Sequence, residues 1–334
     1  MRWMITNRNQ DTDNGFGADF APLTFLTYDP VANAGNIALR DTWTPRTSDE
    51  FSDALKAAAQ TFPDPVTTSP EQQKHVTLFI HGYNSNWREA VGRYNDIAAK
   101  LFDGPDSLGE LISFDWPSEG SVLGYLPDRA EARKTGDDLT EVLSDLYDWM
   151  SIQQRAAARD PGDACRAKTS IIAHSMGNYA LEYAMNAVWT RKNRPLLVSL
   201  MQEVVMVAAD VDNDLFRHGE DVSHGDGEGL ANLSYRITAL FTGRDNVLGA
   251  SAGLKHFGKR RLGRSGLDPT CPVPDNVWDI DCTTLLDPAV GGIPIHGEYF
   301  NPTETGIYQL FRRILEGNDR NVIRSGLVPF AAPA

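Results

Sequence analysis

The sequence predicts an α/β fold in which a mostly parallel sheet carries helices on both faces. Three observations predict it. Short runs rich in Val, Ile, Phe and Thr alternate with stretches of helical periodicity, an order that lays strands side by side with helices over them. Runs such as VTLFI (76–80) and VVMVAA (204–209) are apolar throughout, as strands covered on both faces are. Three long segments without periodicity, 117–128, 211–232 and 258–295, each follow a candidate strand or the helix after one. Ligands of open parallel sheets bind beyond the carboxyl ends of the strands, so these segments are expected as pocket-side loops or a small cap on one domain spanning 1–334.

The strands expected in chain order are Arg2–Thr6, Thr24–Tyr28, His75–Ile80, Leu111–Phe114, Thr169–Ala173, Glu203–Ala208 and Tyr235–Thr242. Phe51–Phe62 places Phe51, Leu55, Ala58 and Ala59 on one helical side, and Trp87–Phe102 follows the third strand. In Asp128–Ala157, the longest helix, Leu139, Val142, Leu143, Leu146, Trp149 and Met150 form a stripe at i, i+3, i+4 spacing, which reads as core packing. Asn178–Trp189 and Gly306–Leu315 complete the set, the last with Ile307, Leu310, Phe311 and Ile314 on its buried side.

Composition narrows the function. With 31 Lys and Arg against 45 Asp and Glu, the formal net charge is −14, a field that repels phosphate and argues against nucleic acid as the main partner. The densest basic cluster, Lys255, Lys259, Arg260, Arg261 and Arg264, reads as a solvated loop more readily than as an anion site. No window of 18 apolar residues is present, so no membrane span is expected, and the first residues lack the apolar stretch of a secretory signal, which points to the cytoplasm. Cys165, Cys271 and Cys282 cannot form a disulfide framework, and free thiols are the expectation although Cys271 and Cys282 are near enough in sequence to pair.

The strongest chemical signal is TSIIAHSMGNYA (169–180). An apolar strand runs into Ala173-His174-Ser175-Met176-Gly177 and a helix follows, the G-x-S-x-G pattern with Ala in the first small position. A serine on such a tight strand-to-helix turn is exposed at the helix N-terminus, and bulky residues two places to either side would meet neighbouring backbone. Ser175 is therefore the candidate nucleophile rather than a plain helix cap, and His174 is expected to point away from it. Upstream, FIHGYNSNW (79–87) ends a buried strand in His81-Gly82-Tyr83, where acyl transfer needs N–H donors for the developing oxyanion. The backbone of Tyr83 and that of Met176 are the candidate pair, and His81 reads as a structural histidine of the loop.

The expected chain order is Ser, acid, His. Of the histidines after Ser175, His296 in GGIPIHGEYF fits a loop beyond the last strand, with His256 second. Asp245, just past Tyr235–Thr242, and Asp210, just past Glu203–Ala208, both remain open as the acid, Asp245 being favoured. Asp210, Asp212 and Asp214 match the opening of a calcium loop, but Leu215 stands where such a loop requires Gly, so no metal is expected. Trp116, Tyr125 and Trp278 read either as apolar pocket walls or as core.

FIHGYN (79–84), FDWPSEG (114–120), AHSMGN (173–178), AADVDNDLF (208–216), FTGRDNVLGAS (241–251), RLG (261–263) and HGEYF (296–300) occur in this order. Together they resemble a bacterial α/β-hydrolase family catalogued as a domain of unknown function, within the esterase- and lipase-like superfamily. The resemblance runs from about Thr24 to Phe300. It implies the α/β-hydrolase fold and a Ser-Asp-His hydrolase with Ser175, Asp245 and His296, and it supplies no substrate. Where many members have Pro before the acid that follows the sixth strand, this chain has Ala209. The expected activity is that of a cofactor-free serine carboxylesterase acting on small short- to medium-chain or aromatic esters. Thioesterase, amidase and acyltransferase chemistry share the triad, and a non-catalytic binding module of the same fold is the rival from another class.

Overall fold

A computed structural model describes all residues except 34, 66, 119–124, 161, 163, 193–198, 219–225, 255–257, 287–294, 304 and 327–334, and leaves the side chains of 70, 125–129, 191, 192, 254 and 305 undescribed as well. In chain order the elements are β1 (Arg2–Gln10), β2 (Phe16–Tyr28), β3 (Thr44–Arg46), α1 (Ser48–Gln60), β4 (His75–Ile80), α2 (Trp87–Ile97), β5 (Gly109–Asp115), α3 (Tyr125–Ala157), β6 (Lys168–His174), α4 (Gly177–Lys192), β7 (Met201–Val207), α5 (Glu228–Leu233), β8 (Ser234–Phe241), α6 (Asn246–Leu254), α7 (Leu262–Ser265), β9 (Val277–Asp281), α8 (Thr305–Leu315) and α9 (Arg320–Ser325). The strands form one nine-stranded sheet in the order β3-β2-β1-β5-β4-β6-β7-β8-β9. β1–β2 and β2–β3 pair antiparallel, and every pair from β1–β5 to β8–β9 is parallel.

Alternation along the apolar strands divides the core between the two faces. Leu78 and Ile80 of β4 pack with Leu139 and Leu143 of α3 and Leu181 of α4, whereas Phe79 faces the other way, toward Val91 and Tyr94 of α2 and Leu310 and Phe311 of α8. Capping boxes start α1 and α2. Thr47 and Glu50 exchange side-chain and backbone hydrogen bonds at the first, Asn86 and Glu89 at the second.

The strands are legible in the sequence where they are apolar and hidden where they are not. β2 begins at Phe16 rather than Thr24; its first half, FGADFAP, pairs antiparallel with β1 and mixes exposed Ala18, Asp19 and Pro22 with buried Phe16, so it forms no apolar run. β9 falls inside 258–295, which is therefore not a continuous loop. Among the described residues VWDID pairs through one side only, as an edge strand, and two Asp among its five residues break up any apolar run. Within 211–232 a helix begins at Glu228, and Asp212 forms a bridge to Arg261. The helix α3 starts inside 117–128, at Tyr125. Cys165, Cys271 and Cys282 are all free thiols, and no helix among the described residues is long and apolar enough to cross a membrane.

At the amino end of the parallel strands, Glu203 of β7 is buried with Arg236 Nε 3.5 Å from Oε1. Burial outweighs the attraction of Arg236 and Lys168 and pushes the carboxyl up to about 8. Between its unfolded value of 4.5 and about 8, the folded chain then holds a proton on Glu203 that the unfolded chain has lost. Stability contributed at this site falls as pH rises through that window. Glu203→Gln should raise the Tm over the wild type little at pH 5 and by about 5 °C at pH 8.5. Thermal melts at the two pH values check this, and a gap that stays constant with pH would contradict it.

Candidate active site

The turn after β6 bends sharply because its backbone is held from both sides. Ser175 has φ +52°, left-handed for a residue with a side chain, a conformation that costs on the order of 1–3 kcal/mol and persists only where the surroundings enforce it. Its N–H donates to Val207 O at 2.9 Å, and its carbonyl accepts from Asn178 N and Asp210 N, each at 3.1 Å. The Asn178 side chain ties the same turn to Ala173 O at 2.9 Å. With α4 starting at Gly177, the N-terminus of a 16-residue helix lies against the serine.

Two glycines are needed because the His81-Gly82 loop presses on this turn. A Cβ on Gly177 would stand 2.5 Å from His81 O, and one on Gly82 would stand 2.6 Å from Ser175 Cβ and 2.8 Å from His174 Nδ1. Gly82→Ala must therefore shift either the loop or the serine. Its kcat on an activated ester should fall about 100-fold, the cost of roughly 1 Å of misplacement, and a value within twofold of wild type in steady-state assays would overturn this packing argument.

Three residues far apart in sequence meet here. His296 Nε2 lies 2.7 Å from Ser175 Oγ, and His296 Nδ1 lies 2.7 Å from Asp245 Oδ2. His296 belongs to a 3₁₀ turn, Ile295–Phe300, beyond β9, and Asp245 to the loop between β8 and α6. Asp245 is fully buried; its Oδ1 accepts the Leu248 N–H at 2.9 Å, and its carbonyl accepts a guanidinium hydrogen bond from Arg264. A carboxylate only accepts, so the proton of neutral His296 sits on Nδ1 and Nε2 presents a lone pair to the serine hydroxyl.

Asp210, the other candidate acid, is engaged elsewhere. Its Oδ1 accepts from Arg261 Nε at 2.8 Å and from Ser251 Oγ at 3.0 Å. Arg261 is completely buried and also pairs with Asp212, which Lys259 Nζ reaches at 2.8 Å. The basic cluster is thus partly internal, with Arg264 bonded to the Asp245 carbonyl. Lys255 and His256 lie outside the described residues. Among the described residues no three His, Cys, Asp or Glu side chains are grouped to hold a metal ion.

Beside Ser175, Met176 is buried and, among the described residues, its N–H has no hydrogen-bond acceptor. Tyr83 follows Gly82 on the neighbouring loop and is half-buried. His81 is wired into that loop. Nδ1 donates to Gly82 O (2.9 Å), Nε2 accepts the Trp116 N–H (3.0 Å), and the imidazole stacks on the Trp116 ring at 4° and 5.3 Å between centroids. Trp116 is therefore no pocket wall. It is fully buried, and its indole N–H donates to His81 O at 2.9 Å, clamping the strand end. Trp278 is no wall either, since it packs in the core beside Leu240 and Ile280 with the Arg320 guanidinium 5.2 Å from its ring. The Tyr125 side chain lies outside the described residues.

Sequence reading missed the support beneath this loop. Asp115 at the end of β5 lies 3.1 Å from His81 Nε2 and 2.9 Å from Arg8 Nε, and Arg8 Nη2 donates to Ser85 O at 2.7 Å. Burial alone would raise the Asp115 carboxyl, but the Arg8 guanidinium outweighs it and holds the group below the usual carboxylate range. The available signal was an Arg inside an otherwise strand-like N-terminal run, RWMITNRNQ.

Comparison with known proteins agrees on the family. Residues 56–272, more than half of the chain, match the model of a family described as alpha/beta hydrolase of unknown function (DUF900). The chain belongs to this family. As a member of this α/β-hydrolase family it is 25% identical over 315 residues to "Uncharacterized protein alr1448" of Nostoc sp. (strain PCC 7120), covering 75% of this chain and 77% of that protein. Among solved structures, an esterase of Pyrobaculum calidifontis is 11% identical with a TM-score of 0.37, over 73% of this chain and 77% of its own. Lipase B of Aspergillus fumigatus is 12% identical with a TM-score of 0.34, over 86% and 64%. Likenesses at that level carry neither chemistry nor substrate across to this α/β hydrolase.

Proposed function

We propose that this α/β hydrolase is a serine hydrolase that cleaves carboxylic esters through an acyl-enzyme. The observation that carries the reading is the unbroken Ser175–His296–Asp245 hydrogen-bond chain, 2.7 Å at each link. His296 Nε2 takes the hydroxyl proton as Ser175 Oγ attacks the carbonyl carbon, and Asp245 stabilises the imidazolium that forms. The backbone N–H groups of Met176 and Tyr83 take the role of oxyanion donors, such groups being worth about 2.7–4 kcal/mol each. His296 then protonates the leaving alkoxide. Water, deprotonated by the same imidazole, frees the acid and restores Ser175. These side chains and water suffice for the reaction, which needs no cofactor.

The substrate class proposed is short- to medium-chain or aromatic esters of small molecules. A panel of p-nitrophenyl esters from acetate to laurate, run beside an acyl thioester and an anilide, tests it. The expected result is highest kcat/KM on esters of short or medium chain. Preference for the thioester or the anilide would move the reading to those acyl transfers, and turnover of none would leave a binding module.

A further inference from the structure

His174 stands beside the nucleophile, yet its ring serves the base. It is buried between the elbow and the turn that carries His296. Its Nε2 lies 2.9 Å from the His296 carbonyl oxygen, its ring centroid is 4.9 Å from that of His296, and Phe300 meets it edge-on at 5.2 Å. Its other nitrogen, Nδ1, lies 3.5 Å from Arg93 Nη1, and the guanidinium sits 5.7 Å from the Phe300 ring centroid.

These contacts leave one protonation pattern. A carbonyl only accepts, so Nε2 must carry the proton; a guanidinium only donates, so Nδ1 must offer a lone pair. Proton placement on Nδ1 would lose the carbonyl bond and turn an N–H against a cation. Burial, His296 and Arg93 together hold His174 well below the ordinary imidazole range, which keeps it neutral.

We propose that His174 and Arg93 are positioning residues. Arg93 selects the His174 tautomer, and His174 Nε2–H pins the His296 backbone so that its imidazole stays within reach of both Ser175 and Asp245. The proposal rests on the hydrolase reading above and adds a function for two residues outside the triad. Neither touches the reacting atoms, so the expected signature is a loss in kcat with KM unchanged.

His174→Phe keeps a ring and removes both nitrogens. Its kcat on p-nitrophenyl acetate should fall about 10- to 100-fold with KM within about twofold. His174→Gln, whose amide can reach the position of Nε2, should recover to within about threefold of wild type, and Arg93→Met should lose about threefold to tenfold. Nitrogen NMR of histidine-labelled wild-type protein reads the tautomer directly and does not depend on any variant folding; it should show His174 neutral and protonated on Nε2. Wild-type kcat in a folded His174→Phe, no recovery in a folded His174→Gln, or a proton on His174 Nδ1 would overturn the proposal. A wild-type protein without esterase turnover would instead sink the hydrolase reading, while the NMR result would still judge the tautomer.

Discussion

Replacing Ser175 with Ala should remove ester hydrolysis almost completely, lowering kcat by about 10⁴- to 10⁶-fold with the fold intact. The size follows from mechanism. Without Oγ no acyl-enzyme forms, and only the oxyanion donors and substrate binding remain to assist direct attack by water. Stability should not fall with activity, because the hydroxyl faces His296 while the elbow is held by backbone bonds to Val207 and Asp210 and by the Asn178 side chain. Relieving no strain, Ala would keep the same left-handed φ. Steady-state assays with circular-dichroism melts check both halves, and residual activity above about 1% of wild type would place the nucleophile elsewhere.

The second large effect separates two buried aspartates. Asp245→Asn should lower kcat about 10³- to 10⁴-fold. The amide would donate to His296 Nδ1 where the carboxylate accepts, forcing the imidazole proton onto Nε2 and leaving no lone pair for the Ser175 hydroxyl. Asp210→Asn should act on stability instead. It weakens the main partner of Arg261, a guanidinium with no exposure to water, and should cost about 3 kcal/mol while the folded fraction keeps most of its activity. Denaturant melts and kcat measured on both variants distinguish them. Equal activity losses would show that Asp210 takes part in the chemistry, and an active Asp245→Asn would reverse the assignment.

Much of this arrangement is legible in the sequence because it depends on local pattern. The parallel strands announce themselves as apolar runs, the elbow as small residues around Ser175 between a strand and a helix, and Asp245 and His296 by their order and their places past strands. What stays hidden depends on partners distant in the chain. Among the described residues β9 lies at the sheet edge and pairs with β8 alone, and its two Asp deny VWDID the apolar run of a buried strand. Trp116 and Trp278 have the composition of pocket walls, and only three-dimensional packing shows one stacked on His81 and the other in the core. Asp210 and Asp245 occupy equivalent sequence positions, and the Arg261 that engages Asp210 lies 51 residues beyond it. From sequence His174 reads only as a side chain turned away from Ser175, because its hydrogen-bond partner lies 122 residues away.

Treating the folded protein with a fluorophosphonate and locating the adduct by peptide mass spectrometry tests the central claim most directly. A nucleophilic Ser175 activated by His296 requires a single phosphonylated residue, Ser175, with labelling slowed by His296→Ala. An unmodified Ser175 in folded protein, or an adduct on another side chain, would contradict it.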